Sequence, residues 1–202
     1  MGPLIQMKAS RPDGRARWCR SAGALAAVCL LAEFAPGGWA QQRPSEYQVK
    51  AAYLFNLGKF VRSAGGGPVA KGPTFDICIL GRDSIGPSLD RIVAGDSIEN
   101  RPVRVLRLTD PTRARACAVV FVSAYESGNL REDLAIMAGS NALTVSDAPD
   151  FLDRGGMIQF VLMSDRVRFD VNLDAVNRSH LVLSSELLRV AAAVKGKPGG
   201  AR

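Results

Sequence analysis

The sequence has little of what most enzyme and metal sites are built from. Its 202 residues include one histidine, His180, and four cysteines that never form a C-x-x-C pair. The motifs G-x-S-x-G and H-E-x-x-H are absent too. Any triad would depend on His180, which we interpret as the end of a helix. We therefore predict no catalytic residue, no metal and no cofactor; an unrecognised hydrolase acting through His180 stays open.

Long basic runs and long apolar runs are also lacking from the main part of the chain. The net charge of +7 is not gathered into a Lys/Arg cluster, so we expect no nucleic-acid-binding surface. After residue 40, no apolar run approaches the ~20 residues that a membrane-spanning helix requires. The remaining chain has a length that suits a single domain with a sizeable core.

Residues 1–40 have the form of a secretory signal peptide. Basic residues precede the apolar stretch Ala22–Ala35, and Gly38 and Ala40 are small residues at the −3 and −1 positions of a cleavage site. This segment holds five basic and two acidic residues, so cleavage after Ala40 lowers the net charge from +7 to +4. We expect export to the periplasm, with an uncleaved anchor as the alternative.

Two cysteines remain after cleavage, Cys78 and Cys117, and each lies in an apolar run that predicts a buried strand. An even pair in an oxidising compartment is a candidate disulfide. Such a bridge would close a loop of about 39 residues and stabilise the fold by about 3–4 kcal/mol in the chain-entropy model. Two buried free thiols are the alternative.

Short apolar runs alternate with helical patterns along the rest of the chain, which predicts an α/β fold. We expect a single domain over residues 41–194, with a mixed β-sheet flanked by helices and a C-terminal β-hairpin and helix. The predicted strands are Phe75–Leu80, Val103–Leu108, Cys117–Ser123 and Ala142–Val145, and the predicted helices include Pro87–Val93, Ser127–Met137 and Leu187–Val194. Residues 195–202 form a polar tail that we expect to be disordered.

Two local patterns imitate ligand sites without completing them. Gly81 and Gly86 have the spacing of a phosphate-binding loop, but Pro87-Ser88 stand where Lys and Ser/Thr are required. Asp147, Asp150 and Asp153 are spaced three apart, and no neighbouring ligand set completes a metal site. An ordinary turn and helix capping explain them better.

The central feature of the sequence is a predicted β-hairpin between Gly155 and Asn172. Its first arm, Met157–Met163, is nearly all apolar, as expected of a strand covered on both faces. Its second arm alternates, which places Arg166, Arg168, Asp170 and Asn172 on one face as a charged ladder. This ladder is either a solvated sheet face or a recognition surface.

A very apolar helix is predicted at residues 45–62, where Ser45 and Gln48 fit a capping box. Apolar residues, Tyr53 and Phe60 among them, cover most of its circumference. Such a helix packs on most sides. It is either buried within its own domain or partly available to a second protein.

With these elements identified, the sequence resembles the YfiR-like family of secreted bacterial regulators, also known as a domain of unknown function. Four pieces carry the resemblance: EYQVKAAYLFNLGKFV at 46–61, FDICILGRDSIG at 75–86, LTVSDAPDFLDRGGMIQFV at 143–161, and RVRFDVNLDAV at 166–176 with SSELLRVA at 184–191. They follow one another in the family's order over nearly the whole mature chain.

The resemblance implies a periplasmic α/β protein without catalytic activity that looks dimeric. It implies inhibition of a membrane-bound diguanylate cyclase through its periplasmic part, and sequestration of the inhibitor by an outer-membrane lipoprotein, which releases cyclic-di-GMP synthesis and biofilm formation. Cys78 and Cys117 match one family disulfide. A second cysteine pair found near the hairpin in some relatives has no counterpart here.

These considerations give one functional hypothesis and one rival. The hypothesis is a periplasmic inhibitor that contacts its partner through a set of side chains on the first helix, the hairpin and the loop before it: Tyr53, Phe60, Phe151, Arg166, Arg168 and Asn172. The rival is a periplasmic small-molecule-binding sensor, in which the ladder and Phe151 line a small pocket.

Overall fold

A computed structural model describes residues 44–124 and 129–197, in which helices cover a mixed β-sheet. The predicted signal peptide, residues 1–40, lies outside the described residues, as do residues 198–202 of the predicted tail. The helices are α1 (Glu46–Phe60), α2 (Gly86–Val93), α3 (Pro111–Ala114), α4 (Leu130–Met137), α5 (Leu173–Arg178) and α6 (Ser185–Val190). The strands are β1 (Val61–Ser63), β2 (Phe75–Leu80), β3 (Ser97–Ile98), β4 (Arg101–Leu108), β5 (Val119–Val122), β6 (Leu143–Ser146), β7 (Ile158–Met163), β8 (Arg166–Asn172), β9 (Leu181–Leu183) and β10 (Ala193–Lys195).

The main sheet has the strand order β10-β8-β7-β6-β5-β2-β4-β3. The central pairs β4–β2, β2–β5, β5–β6 and β6–β7 are parallel, whereas β7 and β8 are antiparallel. A separate two-stranded sheet joins β1 to β9. The prediction of one α/β domain with a mixed sheet and a C-terminal hairpin and helix is confirmed.

Two apolar clusters fill the space between the sheet and its helices. The larger cluster packs α1, α2 and α6 against one face of the sheet, including Val167, Phe169 and Val171 of β8. The smaller cluster packs α3 and α4 against the other face. Cys78 and Cys117 belong to this smaller cluster, are buried, and form the predicted disulfide.

The first helix begins as predicted and ends earlier than predicted. The Ser45 side chain accepts a hydrogen bond from the Gln48 backbone while the Gln48 side chain accepts one from the Ser45 backbone, which is the expected capping box. The helix ends at Phe60 because Val61–Ser63 pair with Leu181–Leu183 instead of continuing the helix. β-branched Val61 suits an extended backbone better than a helix.

The hairpin is confirmed, although its first arm is more exposed than predicted. Ser164 and Asp165 both have positive φ angles, 48° and 59°, which is the conformation of a two-residue type I′ turn. The expectation that Met157–Met163 is covered on both faces is wrong at its end, where Leu162 is 58% and Met163 54% exposed.

The C-terminal region contains more structure than the sequence predicted. The expected helix Leu187–Val194 is shorter and lies at Ser185–Val190. Residues Ala193–Lys195 then pair in parallel with Asp170–Asn172, so the predicted disordered tail begins too early at residue 195. The helix α5 and the strand β9 were not predicted. Nothing is concluded about Ser127, the predicted start of α4, because residues 125–128 are outside the described ranges.

Candidate partner-binding surface

The first turn of α1 and the tip of the hairpin form the two walls of an open groove of about 570 Å³. Its lining combines apolar and charged side chains: Pro44, Glu46, Val49, Leu162, Asp165, Arg166 and Val167. Val167 belongs to the larger core cluster and Val49 packs against it, so rigid elements hold the groove. A mixed apolar and charged lining is suited to a protein segment.

The hairpin tip presents two large apolar side chains to solvent. Leu162 and Met163 are successive residues of β7, so they project to opposite faces of the sheet. Their cross-strand partners are Val167 and Arg166. Exposed Met beside Arg is the composition that protein interfaces favour over ordinary surface.

The part of the predicted ladder next to the turn, Arg166 and Arg168, is a basic surface. Arg166 and Arg168 are exposed, alternating with buried Val167 and Phe169. The Arg168 guanidinium donates a 3.1 Å hydrogen bond from Nη2 to the Val190 backbone oxygen. Arg166 forms no ion pair with any described residue, so its charge is available to a partner.

The end of the ladder farthest from the turn, Asn172, has a structural role. Asn172 is half-buried, and its Nδ2 donates a 3.1 Å hydrogen bond to the Leu152 backbone oxygen. Its Oδ1 accepts from the Ala175 backbone N–H at 3.1 Å, which makes Asn172 the N-cap of α5. Both ends of this side chain are therefore occupied, and the structure does not place Asn172 among the free contact residues.

The two aromatic residues singled out on α1 have different surroundings. Tyr53 is half-buried, with its ring centroid 5.5 Å from that of Phe169 and 6.1 Å from that of Phe160. It fixes α1 to the inner face of the hairpin. Phe60 is 38% exposed. At 1.5 Å per residue it lies about 21 Å along α1 from Glu46, so the groove and Phe60 are not one contact site.

Phe151 does not belong to any surface. Its side chain is fully buried in the smaller core cluster. A Cβ atom built at Gly156 would lie 2.2 Å from the Phe151 ring, so the loop folds closely over this side chain. The expectation that Phe151 contacts a partner or lines a pocket is therefore corrected: burial leaves it no exposed edge.

Electrostatic contacts hold α1 beside the hairpin. Lys50 is 7% exposed, and burial alone would lower the pKa of its ammonium group. Hydrogen bonds and the negative charges of Asp147 and Glu46 outweigh burial and raise that pKa above its ordinary value. Lys50 therefore stays charged, and Glu46 is held at the edge of the groove.

The sequence did not reveal the roles of Glu46, Val49, Leu162 and Met163. The one signal in the sequence was the position of Leu162 and Met163 next to the predicted two-residue turn, because residues beside such a turn extend furthest from the core. The apolar character of Leu162 and Met163 instead suggested a covered strand. Which residues of an apolar strand are covered depends on tertiary packing, which the sequence pattern does not show.

His180 occupies the position that was predicted for it. It follows α5 with a φ of 52°, is exposed, and its backbone N–H donates to the Asn177 oxygen. Across residues 44–124 and 129–197, no group of three or more His, Cys, Asp or Glu side chains is arranged to hold a metal ion. In the same part of the chain, no helix is both long enough and apolar enough to cross a membrane.

The model of the YfiR/HmsC-like family matches residues 47–192, from the first turn of α1 to just beyond α6. The chain belongs to this family. The YfiR/HmsC-like proteins are periplasmic regulators rather than enzymes. The hairpin wall of the groove, Val49 of its α1 wall and both cysteines of the disulfide lie within the matched residues, whereas Pro44 and Glu46 precede them.

Among solved structures, the YfiR/HmsC-like chain is similar to the crystal structure of a conserved domain protein from Vibrio cholerae O1 biovar El Tor. The TM-score is 0.54 at 9% sequence identity, over 75% of this chain and 60% of that one. The chain thus spans less than two thirds of that chain, and the likeness concerns the fold alone. No curated protein matches the sequence.

Proposed function

We propose that the exported chain is a non-catalytic inhibitor that binds the periplasmic part of a membrane-bound diguanylate cyclase. Binding restrains cyclic-di-GMP synthesis and hence biofilm formation. Membership of the YfiR/HmsC-like family supports a regulatory role in the periplasm. The choice of a cyclase as partner follows from the family resemblance.

The observation that carries a binding role is the hairpin tip. Leu162 and Met163 are more than half exposed, beside the unpaired charge of Arg166. Leu162 lines the groove and Met163 projects from the opposite face of the same strand end, so a partner that wraps around the tip covers both side chains. A partner that covers them gains apolar burial, while Arg166 and Arg168 select for an acidic counterpart.

Inhibition then requires a difference in affinity between two states of the cyclase. An inhibitor that binds the inactive state of the cyclase 100-fold more tightly than the active state shifts the equilibrium between these two states by about 2.7 kcal/mol. The inhibitor needs no catalytic group for this. Sequestration of the same surface by an outer-membrane lipoprotein would release the cyclase, and a homodimer would present the surface twice.

The first experiment compares cellular cyclic-di-GMP in four strains: wild type, a deletion of this gene, and the deletion complemented either with the full-length chain or with a form lacking residues 1–40. We expect deletion to raise cyclic-di-GMP, and we expect complementation by the full-length chain but not by the truncated form. Restoration by the truncated form would contradict a periplasmic site of action.

A second experiment tests direct binding. The periplasmic part of a membrane-bound cyclase from the same cell is titrated with the exported protein. Saturable binding is expected, and it should weaken when Leu162 is changed to Ser. If deletion leaves cyclic-di-GMP unchanged and no cyclase binds, the assignment is wrong.

A further inference from the structure

A second concave site lies away from the hairpin tip, between α4, α5 and the loop before β7. It is a cavity of about 520 Å³, within the range of small-molecule sites. Leu134, Met137, Met157 and Ala175 are buried and form an apolar floor. Arg131, Arg154 and Arg178 also line it, together with small residues, Thr144 and Ser179, and the lining includes no Asp or Glu.

The helices present this lining through regular spacing. On α4, Arg131, Leu134, Ala135 and Ala138 follow the i, i+3, i+4, i+7 pattern of one helix face. On α5, Ala175 and Arg178 are three residues apart, and Ser179 follows as the C-cap. Two helices therefore hold three of the four floor residues and two of the guanidinium groups together.

Two of these arginines lack a protein counter-charge. Neither Arg131 nor Arg178 forms an ion pair with any residue of the described ranges. The carboxylate of Asp153, directly before Arg154, instead pairs with Lys195 at 2.8 Å. Positive charges that line one cavity, with no carboxylate in its lining, favour a bound anion.

Helix stability does not account for Arg131. It lies in the first turn of α4, where the helix dipole disfavours a positive charge. At the C-terminal end of α4, backbone carbonyl groups carry partial negative charge that would repel an anion, and two of them accept hydrogen bonds from an arginine. Arg115 donates hydrogen bonds from Nη1 to the backbone oxygens of Ile136 and Ala138.

We propose that this cavity binds a small organic anion, a carboxylate or a phosphate monoester with an apolar body. Arg131 and Arg178 hold the anionic group, and the side chains of Leu134, Met137 and Met157 contact the apolar part. Bidentate guanidinium contacts suit both kinds of anion. The chain would thus carry a metabolite-binding site in addition to its partner surface.

The cavity is independent of the hairpin tip. Met157 precedes the first residue of β7, whereas Leu162 is near its last residue. At ~3.3 Å per residue, five residues of strand separate them by about 16 Å. A ligand site at this end of the sheet can therefore be tested independently of the partner surface at the hairpin tip.

The test uses the full chain, exported and purified from the periplasm, with phenyl phosphate, benzoate and uncharged benzyl alcohol as probes. Binding is measured by calorimetry and by ligand-induced amide chemical shifts. We expect saturable binding of at least one anion at millimolar concentration or below, and at least ~10-fold weaker binding of benzyl alcohol. Whichever anion binds more tightly identifies the carboxylate or the phosphate as the preferred group.

The double variant Arg131→Gln/Arg178→Gln should weaken anion binding at least ~10-fold. Arg113→Gln removes an exposed arginine outside the cavity and should leave binding unchanged. Both arginines are exposed, so we expect the double variant to fold, and its thermal unfolding without ligand checks this. Shifts mapped on the unaltered protein give a readout that needs no variant.

Four results would overturn the proposal: no saturable binding of either anion up to about 10 mM, equal binding of benzyl alcohol, equal weakening by the control variant, or chemical-shift changes that cluster away from residues 131–139, 154–157 and 175–179. None of these results bears on the hairpin tip.

Discussion

Lys50 of α1 donates a hydrogen bond to Asp147, which follows β6, with 2.6 Å between Lys50 Nζ and Asp147 Oδ2. The two residues are 97 positions apart in the sequence. The same ammonium group lies 2.6 Å from Glu46 Oε1. One buried cation with two carboxylates therefore fastens the first helix to the sheet, beside the groove.

Replacing this cation should destabilise the fold. In Lys50→Met the side chain keeps its length, but Asp147 and Glu46 lose their shared counter-ion. We expect the free energy of unfolding to fall by about 3 kcal/mol, measured by urea titration. Glu46→Gln, which removes only the more exposed partner, should cost about 0.5 kcal/mol. Equal stability of Lys50→Met and the wild type would show that the contact contributes nothing.

The same contact predicts the response to alkaline pH. Because the pKa of Lys50 is raised in the folded state, its contribution is fully present below the ordinary lysine pKa of about 10.4. It is lost as the pH rises through the folded-state pKa. The stability difference between wild type and Lys50→Met should be constant from pH 7 to 9 and shrink above about pH 10.5. A difference that stays constant through that range would argue against charge as its cause.

Asp76 predicts the opposite response, in acid. It lies opposite Arg104 across β2 and β4, and two hydrogen bonds of 3.0 and 2.7 Å join them. Burial alone would raise the pKa of Asp76, but Arg104 and Thr74 lower it below its ordinary value. The stabilisation is present above pH ~4 and lost as the pH falls through the folded-state pKa. The urea midpoints of wild type and Asp76→Asn should therefore differ at pH 6 and converge near pH 2–3.

The parts of the fold that the sequence predicted are those set by local pattern. Alternation in Arg166–Asn172 and the apolar runs Phe75–Leu80 and Cys117–Ser123 specify strands without knowledge of their neighbours. The capping box at Ser45 likewise depends on residues three positions apart. Each of these features was assigned correctly because its cause lies within one element.

The parts that were missed depend on distant pairing. Val61–Ser63 are extended because they pair with Leu181–Leu183, more than 100 residues later. Ala193–Lys195 form a strand because β8 offers them an edge. The burial of Phe151 and the exposure of Leu162 depend on tertiary packing, which no sequence periodicity encodes. For the candidate surface, the sequence accordingly predicted the basic side chains Arg166 and Arg168 but not the exposed apolar side chains Leu162 and Met163.

The disulfide should contribute through the unfolded chain. It links Cys78 and Cys117, whose Cα atoms are 6.1 Å apart, across a sequence separation of 39. The paired substitution Cys78→Ala/Cys117→Ala should lower the free energy of unfolding by about 3–4 kcal/mol in urea. Reduction of the wild-type protein before unfolding should reproduce most of this loss. If neither treatment moves the urea midpoint, the loop is already ordered in the unfolded state.

Gly156 should not tolerate a side chain. An alanine Cβ would lie 2.2 Å from Phe151 Cε1, and the Phe151 ring is fully enclosed by its own cluster. We expect Gly156→Ala to lower the free energy of unfolding by about 2–3 kcal/mol. Gly65→Ala, where nothing lies within 4 Å, is the matched control and should be nearly neutral. Adding Phe151→Leu to Gly156→Ala should recover part of the loss if the clash is its cause.

The basic surface of the hairpin gives the prediction closest to function. Arg166→Glu reverses a charge that has no partner among the described residues, so the fold should keep its stability within about 0.5 kcal/mol. Arg168→Glu gives up one exposed hydrogen bond to Val190 as well. If the cyclase presents an acidic counterpart, each reversal should weaken binding at least ~10-fold, mostly through a slower association at low salt.

Arg113→Glu provides the control for this test, because it reverses an exposed charge on α3, which belongs neither to the hairpin nor to the lining of the groove. It should leave partner affinity unchanged. Unfolding of Arg166→Glu or Arg168→Glu would mean that the ladder is structural. Unchanged binding by two folded variants would instead remove the basic face from the interface and leave Leu162 and Met163 to carry it, because apolar burial at the tip does not depend on those charges.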